Sequence, residues 1–540
     1  MLTPQQGETR QALDSAEQAL MKGDFSRCAA LAGKVLDRDT LNVRAHLLRG
    51  TASNQLGHIE RAVQDLAFVA ERRPEEAIAR FHLGQALRKA GQYDAALPHL
   101  RAVLKDQGLR PHGLFETARS LRGLGRLDKA IDHYHLLLKE TPGHADAAAN
   151  LAVLLEKTSQ LDDALAWVDR ALVLAPNNAT AALTRARVMR RLGRFEEAAA
   201  QLETLLERPL PPMSRIIAAN QLGHCLDRLG RHEEAFGRFT EANRLQQETD
   251  PEADVDDYGS YGIEWASYLR GWLAEHPPGD WSPTPPDERD APAFLVGFPR
   301  SGTTLLDQVL SAHPRVEVIE EQELLLEVRR KWMSLEHFHR VHQMSEDEVH
   351  EARLRYRQAL AAAHDNPDAR VVVDKLPLNS LYLALIHRLF PEARLLYALR
   401  DPRDACLSCY FQTFTLVGAM PYFLELDSTV RYYDTIMGVA TDARNTLPLK
   451  LLEVRYEQVV ENFEQEARRM LGFLDLPWDE QVLTYRTNTE GRTINTPSYS
   501  QVSEPLYARS VGRWKHYTQQ LAPVEPILAP WVERFGYDNG

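Results

Sequence analysis

The sequence predicts two domains: an all-α solenoid of repeated helical hairpins, followed by an α/β domain with a parallel sheet and a P-loop-like turn. Two observations predict this order. Small residues recur at a fixed spacing through the first 240 residues, and short apolar runs alternate with longer helical patterns after residue 290. A chain of 540 residues is also too long for one hydrophobic core.

The first part of the chain consists of repeats. One residue per repeat marks a turn, at intervals of 34 residues and finally 37: Gly23, Gly57, Gly91, Gly125, Ser159, Gly193 and Gly230. Alanine or cysteine follows each marker by five residues, and alanine or glycine precedes it by seven. Small residues at two facing positions let paired helices pack closely, which is the tetratricopeptide (TPR) pattern. We expect about seven hairpins over residues 8–244.

The sequence leaves two binding partners open for this solenoid. A concave groove that holds a protein or peptide segment is the usual one, and association with a second copy of the chain is the alternative. Residues 245–290 are predicted to be a linker that contains one helix, at Tyr261–Leu273, because acidic and proline-rich stretches flank that apolar segment. The second domain is expected over residues 291–540.

Composition excludes several classes of protein. The net charge of −13 argues against general nucleic-acid binding, and the lack of an 18-residue apolar run argues against a membrane span. The first residues lack the charged and apolar regions of a signal peptide, and four cysteines in 540 residues do not make a disulfide framework. Together these features predict a cytoplasmic protein.

A predicted strand, turn and helix open the second domain. The apolar run Phe294–Phe298 ends at a proline, and a helical pattern follows the turn. Backbone N–H groups at a helix start, hydroxyls and one cation favour an anion there. Thr303 stands where the Walker A loop has lysine, so the turn suits a phosphate held without Mg²⁺. The residues of this turn are Arg300, Ser301, Gly302, Thr303 and Thr304.

Further strands and helices are predicted in alternation, which is typical of a parallel α/β sheet. Functional groups are then expected at the carboxyl ends of the strands. The strand-like runs are Val316–Ile319, Arg370–Val373, Arg394–Leu399 and Leu451–Val454, and the longest helical patterns are Glu321–His339 and Glu346–His364.

Five segments resemble the sulfotransferase superfamily, and the tyrosylprotein sulfotransferases most closely. In chain order they are FPRSGTTLLDQVLSAHPRVEVIEE, VVVDKLP, LRDPRDACLS, VRYEQVVENF and SYSQVSEPLYARSVGRW. The resemblance covers roughly the last 250 residues. It implies transfer of a sulfuryl group from 3′-phosphoadenosine 5′-phosphosulfate (PAPS) to a hydroxyl acceptor, with no metal.

The same resemblance implies which residues bind the donor. Residues 300–304 would hold the 5′-phosphate, and Arg400 with Ser408 the 3′-phosphate. An arginine fork with a hydroxyl suits a phosphate that is partly dianionic. Some relatives have a further arginine for the 3′-phosphate where this chain has Gln412, and Arg513 would supply that charge instead. Tyr456 would lie near the adenosine.

The resemblance also implies the residues of the transfer step. Glu321, which lies 21 residues after Arg300, would draw the proton from the acceptor hydroxyl. Glu320 is the competing candidate for this base. Lys375 would stabilise the bridging oxygen as it leaves, and Ser498 would assist the same transition state.

Several alternatives stay open at the level of sequence. The acceptor is expected on a protein or peptide, with tyrosine as one candidate, but Glu323 stands where the animal tyrosylprotein enzymes have arginine, and a small-molecule, lipid or glycan hydroxyl remains an alternative. A TPR adaptor with an inactive second domain is a second hypothesis. A nucleotide kinase is a third, which the missing Walker lysine disfavours. Cys406 and Cys409 have redox spacing but are interpreted as buried thiols.

Overall fold

The computed structural model of the chain describes residues 4–250, 260–287, 291–334, 336–485 and 510–538. The chain forms two compact units, Met1–Val188 and Met189–Gly540. Among the described residues, no helix is both long and apolar enough to cross a membrane.

The first unit consists of helical hairpins. Its helices are α1 (Pro4–Met21), α2 (Phe25–Leu36), α3 (Val43–Leu56), α4 (Ile59–Arg72), α5 (Ala77–Lys89), α6 (Tyr93–Val103), α7 (Arg110–Gly123), α8 (Leu127–Glu140), α9 (Ala145–Lys157), α10 (Leu161–Leu174) and the greater part of α11 (Ala179–Arg191). All seven predicted turn markers along the chain have a positive φ, between 62° and 81°. Small residues are required where helices meet, since a Cβ on Gly84 would lie 2.6 Å from Leu100. The predicted TPR solenoid is therefore confirmed.

The second unit contains the rest of the chain. Its remaining helices are α12 (Phe195–Leu206), α13 (Pro212–Arg228), α14 (His232–Thr249), α15 (Ile263–Glu275), α16 (Thr303–Ser311), α17 (Leu326–Trp332), α18 (Glu346–Ala363), α19 (Leu383–Leu389), α20 (Pro402–Tyr410), α21 (Leu426–Thr446), α22 (Tyr456–Glu461), α23 (Phe463–Phe473), α24 (Thr518–Leu521) and α25 (Glu525–Arg534). Short 3-10 helices cover Pro278–Asp280, Phe338–Gln343, Pro377–Tyr382, Met420–Leu424, Glu480–Thr484 and Arg513–His516.

A five-stranded parallel sheet lies in the second unit, as the sequence predicts. Its strands are β1 (Ala293–Gly297), β2 (Val316–Glu320), β3 (Val371–Lys375), β4 (Arg394–Leu399) and β5 (Lys450–Arg455). Their order is β2-β3-β1-β4-β5, so β1 lies in the middle and is buried along its length. The chain leaves β1 between β3 and β4, which is where α/β sheets bind ligands at their carboxyl edge.

One predicted helix is wrong at its start. The sequence pattern places it at Glu321–His339, whereas α17 begins only at Leu326 and a separate 3-10 helix follows. Glu321 has a φ of 48°, which cannot continue into an α-helix, and its N–H donates to the carbonyl of Lys375 at 2.8 Å. This carboxylate therefore lies on a sharp turn directly after β2.

The last repeat hairpin, α13 and α14, belongs to the second compact unit. The predicted bounds of 8–244, 245–290 and 291–540 follow the sequence pattern rather than compactness, and they stay predictions. The predicted linker helix is α15. It packs on α21, where Arg270 Nε lies 2.7 Å from Asp442 Oδ2.

Candidate active site

The turn between β1 and α16 has the backbone of an anion cradle. Gly302 has a φ of 94° and caps α16, and Arg300 has a φ of 67°, which is rare for a residue with a side chain. A Cβ on Gly302 would lie 2.6 Å from the ring of Tyr456, so only glycine fits. Thr303 and Thr304 are buried in the first turn of α16, where backbone N–H groups lack helical partners.

Four predicted donor-binding residues meet beside this turn. Arg300 Nε donates to Ser408 Oγ at 3.1 Å. Arg400 Nη1 donates to the carbonyl of Arg300 at 3.1 Å, and its guanidinium carbon lies 4.8 Å from the centre of the Tyr456 ring. These side chains come from the ends of β4 and β5 and from α20, so the parallel sheet brings together residues that are far apart in sequence.

This cluster fits a phosphate-bearing group. Arg400 is 7% exposed, and its Nε atom is buried with no hydrogen-bond partner among the described residues. Burial is the main reason that the pKa of Arg300 is lowered to about 10, and the charge of Arg400 acts in the same direction. A bound anion would stabilise buried guanidinium groups such as these. A phosphate would also accept the unused Nε–H of Arg400.

A second cluster surrounds one buried lysine. Lys375 is 0% exposed, and its Nζ lies 3.0 Å from Glu321 Oε1, 3.5 Å from Glu320 Oε1 and 3.9 Å from Asp307 Oδ2. The parallel register of β2 and β3 sets Glu320 beside Lys375 and brings the next residue over it. Asp307 is on α16, the helix that follows the anion cradle. Lys375 therefore contacts both candidate bases and a residue of the helix that follows the cradle.

The two candidate bases differ in their access to solvent. The Glu321 side chain is 40% exposed and has the shorter contact with Lys375, whereas the Glu320 side chain is 20% exposed. The charge of Glu321 also raises the pKa of Arg300, which indicates that the two clusters are close to one another. An acceptor hydroxyl can reach Glu321 more readily.

The last predicted donor-binding residue, Arg513, has a partner that the sequence did not indicate. Its Nη2 lies 3.0 Å from Asp227 Oδ2 on α13, and its guanidinium carbon lies 4.7 Å from the centre of the Phe411 ring. Ser498, the remaining predicted catalytic residue, lies outside the described residues.

Asp404, on α20, accepts two hydrogen bonds from the segment around Arg513. Its Oδ2 accepts the N–H of Gly512 at 2.7 Å, and its Oδ1 accepts that of Trp514 at 2.8 Å. Arg400 Nη2 also donates to the carbonyl of Ser510. Sequence reasoning missed Asp404 and Asp307, although they lie in the segments LRDPRDACLS and FPRSGTTLLDQVLSAHPRVEVIEE. It also missed Asp227, which no motif marks.

The cysteines and possible metal ligands are the remaining reactive groups. Cys406 and Cys409 are buried and not joined in a disulfide, and burial raises the pKa of both thiols. The Cys409 thiol donates to the carbonyl of Pro299 at 3.5 Å. Over the described ranges of the chain, no group of three or more His, Cys, Asp or Glu side chains could hold a metal ion.

Comparison with known proteins gives the same two parts. Residues 292–480 match the sulfotransferase family, and residues 54–113, 115–179 and 183–245 match tetratricopeptide repeats. An uncharacterized protein of Aquifex aeolicus is 27% identical over 343 residues, which are 61% of this chain and 43% of that protein. This chain therefore spans less than half of that relative's length.

Two further similarities concern one part of the chain each. Protein-tyrosine sulfotransferase A of Caenorhabditis elegans is 28% identical over 258 residues, which are 45% of this chain and 67% of the relative. The crystal structure of YrrB, described as a TPR protein with an unusual peptide-binding site, matches with a TM-score of 0.29 and 23% identity, over 32% of this chain and 88% of that one. Residues 292–480 therefore belong to a sulfotransferase domain, which follows tetratricopeptide repeats that extend over residues 54–245.

Proposed function

We propose that this protein transfers a sulfuryl group from PAPS to a hydroxyl group of a protein or peptide. The observation that carries the proposal is the pair of clusters at the carboxyl edge of the sheet. One offers buried cations and hydroxyls, and the other offers carboxylates around a buried lysine. A donor that carries two phosphates beside its reactive group needs the first cluster, and proton removal from an acceptor needs the second.

The donor side acts by position and charge. The cradle at residues 300–304 would hold the 5′-phosphate with its N–H groups and hydroxyls. Arg400 and Ser408 would hold the 3′-phosphate, and the ring of Tyr456 would lie against the adenosine. No residue of this cluster requires a metal, because the compensating charge comes from guanidinium groups.

The transfer side removes the proton of the acceptor and stabilises the leaving group of the donor. Glu321 takes the proton of the acceptor hydroxyl as the oxygen of that hydroxyl forms a bond to sulfur. The bond between sulfur and the bridging oxygen of the donor breaks at the same time, and Lys375 stabilises the negative charge that develops on this oxygen. Ser498 keeps its predicted supporting role.

The acceptor class is the least constrained part of the proposal. The names of the relatives favour tyrosine. Glu323, two residues beyond the proposed base, is paired with a buried cation, because Arg329 Nη2 lies 2.6 Å from Glu323 Oε2. An acceptor with acidic residues at this place would meet an already compensated pair rather than a free cation. We further propose that the TPR groove recruits the acceptor and that the protein acts in the cytoplasm.

The proposal is tested by sulfuryl transfer from ³⁵S-labelled PAPS to proteins of a host-cell lysate. Wild-type protein is expected to label at least one species, and Glu321→Gln is expected to abolish that labelling without loss of donor binding. Equal labelling by the two proteins would contradict the assignment of the base. Donor binding without any labelling by wild-type protein would favour an adaptor with an inactive domain.

A further inference from the structure

The last repeat departs from its own pattern at two positions. The residue ten before the turn marker is apolar in the first six repeats and becomes Asn220 in the seventh: Leu13, Leu47, Phe81, Phe115, Ala149 and Leu183. The residue thirteen after the marker behaves in the same way and becomes Asn243: Leu36, Ala70, Leu104, Leu138, Leu172 and Leu206. Helix packing within the repeats does not require an amide at either position.

Both amides are directed to the end of α20, the helix that carries Ser408. Asn243 Nδ2 donates to the carbonyl of Tyr410 at 3.0 Å, and Asn220 Nδ2 donates to the carbonyl of Phe411 at 2.9 Å. The last carbonyls of a helix have no helical partner, so they need donors from elsewhere when they are buried. Asn220 and Asn243 are 8% and 2% exposed. They therefore cap α20 in a buried place.

Apolar packing fixes the same contact. The ring of Phe239 on α14 stacks on Phe411 with 4.2 Å between ring centres, and Phe236 stacks on Tyr410 at 5.3 Å. The hydroxyls of Thr240 and Tyr410 are 2.8 Å apart. The hairpin thus holds two consecutive residues that follow Ser408 closely in sequence.

The hairpin also contacts Arg513, the arginine that is predicted to bind the donor. Asp227 contacts both Nε and Nη2 of Arg513, at 3.2 Å and 3.0 Å, and accepts a hydrogen bond from the hydroxyl of Tyr517 at 2.5 Å. The rings of His232 and His516 stack beside this pair with 4.3 Å between their centres. A bidentate carboxylate fixes the plane of a guanidinium group, which leaves its remaining N–H groups directed elsewhere.

Charge on α13 supports the same arrangement. Burial holds the pKa of His224 well below its usual range, and the charges of Arg190, Arg513 and Arg300 lower it further. The imidazole of His224 is therefore close enough to Arg300 and Arg513 for their charges to act on it.

We propose that the last repeat hairpin, α13 and α14, is a built-in part of the donor site, in which Asn220 and Asn243 position Ser408 through α20 and Asp227 positions Arg513. All three are positioning residues, since none is expected to contact the donor. The inference rests on the proposed PAPS-binding function.

The test compares two nucleotides that differ only in the 3′-phosphate, 3′-phosphoadenosine 5′-phosphate (PAP) and 5′-AMP, by calorimetric titration of the full chain. Asp227→Asn is expected to weaken PAP binding roughly tenfold, by analogy with the loss of a residue that orients a metal ligand. The affinity for 5′-AMP is expected to stay the same. Glu140→Gln is the matched control, because it removes an Arg–carboxylate pair of 2.8 Å within the first unit.

The second variant, Asn243→Leu, introduces the residue that five of the six earlier repeats have at this position, and it keeps the proposal testable if Asp227→Asn unfolds. It is also expected to lower PAP affinity and to spare 5′-AMP affinity. Equal loss for the two nucleotides would show a merely structural role and overturn the proposal. Tighter PAP binding by Asp227→Asn would also overturn it, because the carboxylate would then compete with phosphate for Arg513.

The outcome with wild-type protein separates this inference from the proposed function. If wild-type protein does not prefer PAP to 5′-AMP, the PAPS assignment itself fails. If wild-type protein prefers PAP and the two hairpin variants keep that preference in full, only the role of the hairpin is refuted.

Discussion

The candidate site has a donor half around Arg300 and Arg400 and a transfer half around Lys375, and the two differ in their balance of charge. In the donor half, buried cations lie close together, with Arg400 Nη1 bonded to the backbone of Arg300 and its Nε unused by the described residues. In the transfer half, three carboxylates lie within 4 Å of the Lys375 ammonium group. The donor half thus offers guanidinium groups to a ligand, whereas the transfer half offers carboxylates around its lysine. A ligand that brings phosphates therefore suits the donor half, and a ligand that brings only a hydroxyl suits the transfer half.

The largest expected effect comes from the transfer half. Glu321→Gln is expected to lower kcat by about 10² to 10⁴, the usual contribution of a general base, because an amide cannot accept the acceptor's proton. Donor affinity should be unchanged, since Glu321 does not hold the phosphates. Steady-state rates with labelled PAPS and titration with PAP measure the two quantities.

Glu320→Gln is the matched control for that experiment. It removes the neighbouring carboxylate, whose oxygen lies 3.5 Å from Lys375, and leaves Glu321 in place. We expect a much smaller loss of kcat. If Glu320→Gln has the larger effect, the base is Glu320 and the proposed arrangement of the transfer half is wrong.

The next effect concerns the donor half. Arg400→Ala is expected to weaken PAP binding by about 1.5–3 kcal/mol, the range for a hydrogen bond to a charged group, or roughly 10- to 150-fold. Calorimetric titration measures the loss. Arg394→Ala is the control, because Arg394 opens the same strand and pairs with Asp475. Equal losses in the two variants would remove the special role of Arg400.

The smallest expected effect concerns a carboxylate next to the site in sequence. Asp374 precedes Lys375 on β3, but its side chain contacts Tyr356, whose hydroxyl lies 3.3 Å away on α18. Burial raises the pKa of Asp374 to about 7 from its ordinary value of 3.8. The folded state therefore favours the protonated form, and its stability is expected to fall as pH rises from about 4 to about 7.

The expected slope is at most about 1.4 kcal/mol per pH unit for one proton. Asp374→Asn is expected to remove this part of the pH dependence, which urea denaturation of the two proteins at pH 5 and pH 7 would measure. The same slope in both proteins would show that Asp374 is not the titrating group. This prediction tests burial alone, since Asp374 takes no part in either half of the site.

The sequence predicted the repeats and strands well because their signals are local. Turn markers at fixed spacing located the helical hairpins, and the run Arg394–Leu399 coincides with β4. Glu321 shows where local reasoning fails. Its sequence neighbours favour a helix, yet a bond to the carbonyl of Lys375 and the register of β2 hold it at a φ of 48°. Such constraints come from the strand partner, which lies more than 50 residues away.

The candidate site was predictable to a similar degree. The structure brings Arg300, Arg400, Ser408 and Tyr456 together, as the motifs implied. The contribution of the repeats to this site was not predicted, because Asp227 is 286 residues away from Arg513 and lies in none of the motifs. The two asparagines of the last repeat were a usable signal, since they replace apolar residues that every earlier repeat has.

The most direct test of the account is titration of the full chain with PAP and with ADP, each with and without Mg²⁺. The donor half consists of guanidinium groups, hydroxyls and backbone N–H groups, so PAP is expected to bind more tightly than ADP and to the same extent in EDTA. Arg400→Ala is expected to lose this preference. Equal affinity for the two nucleotides, or binding that requires Mg²⁺, would contradict the assignment of the site to a PAPS-dependent sulfotransferase.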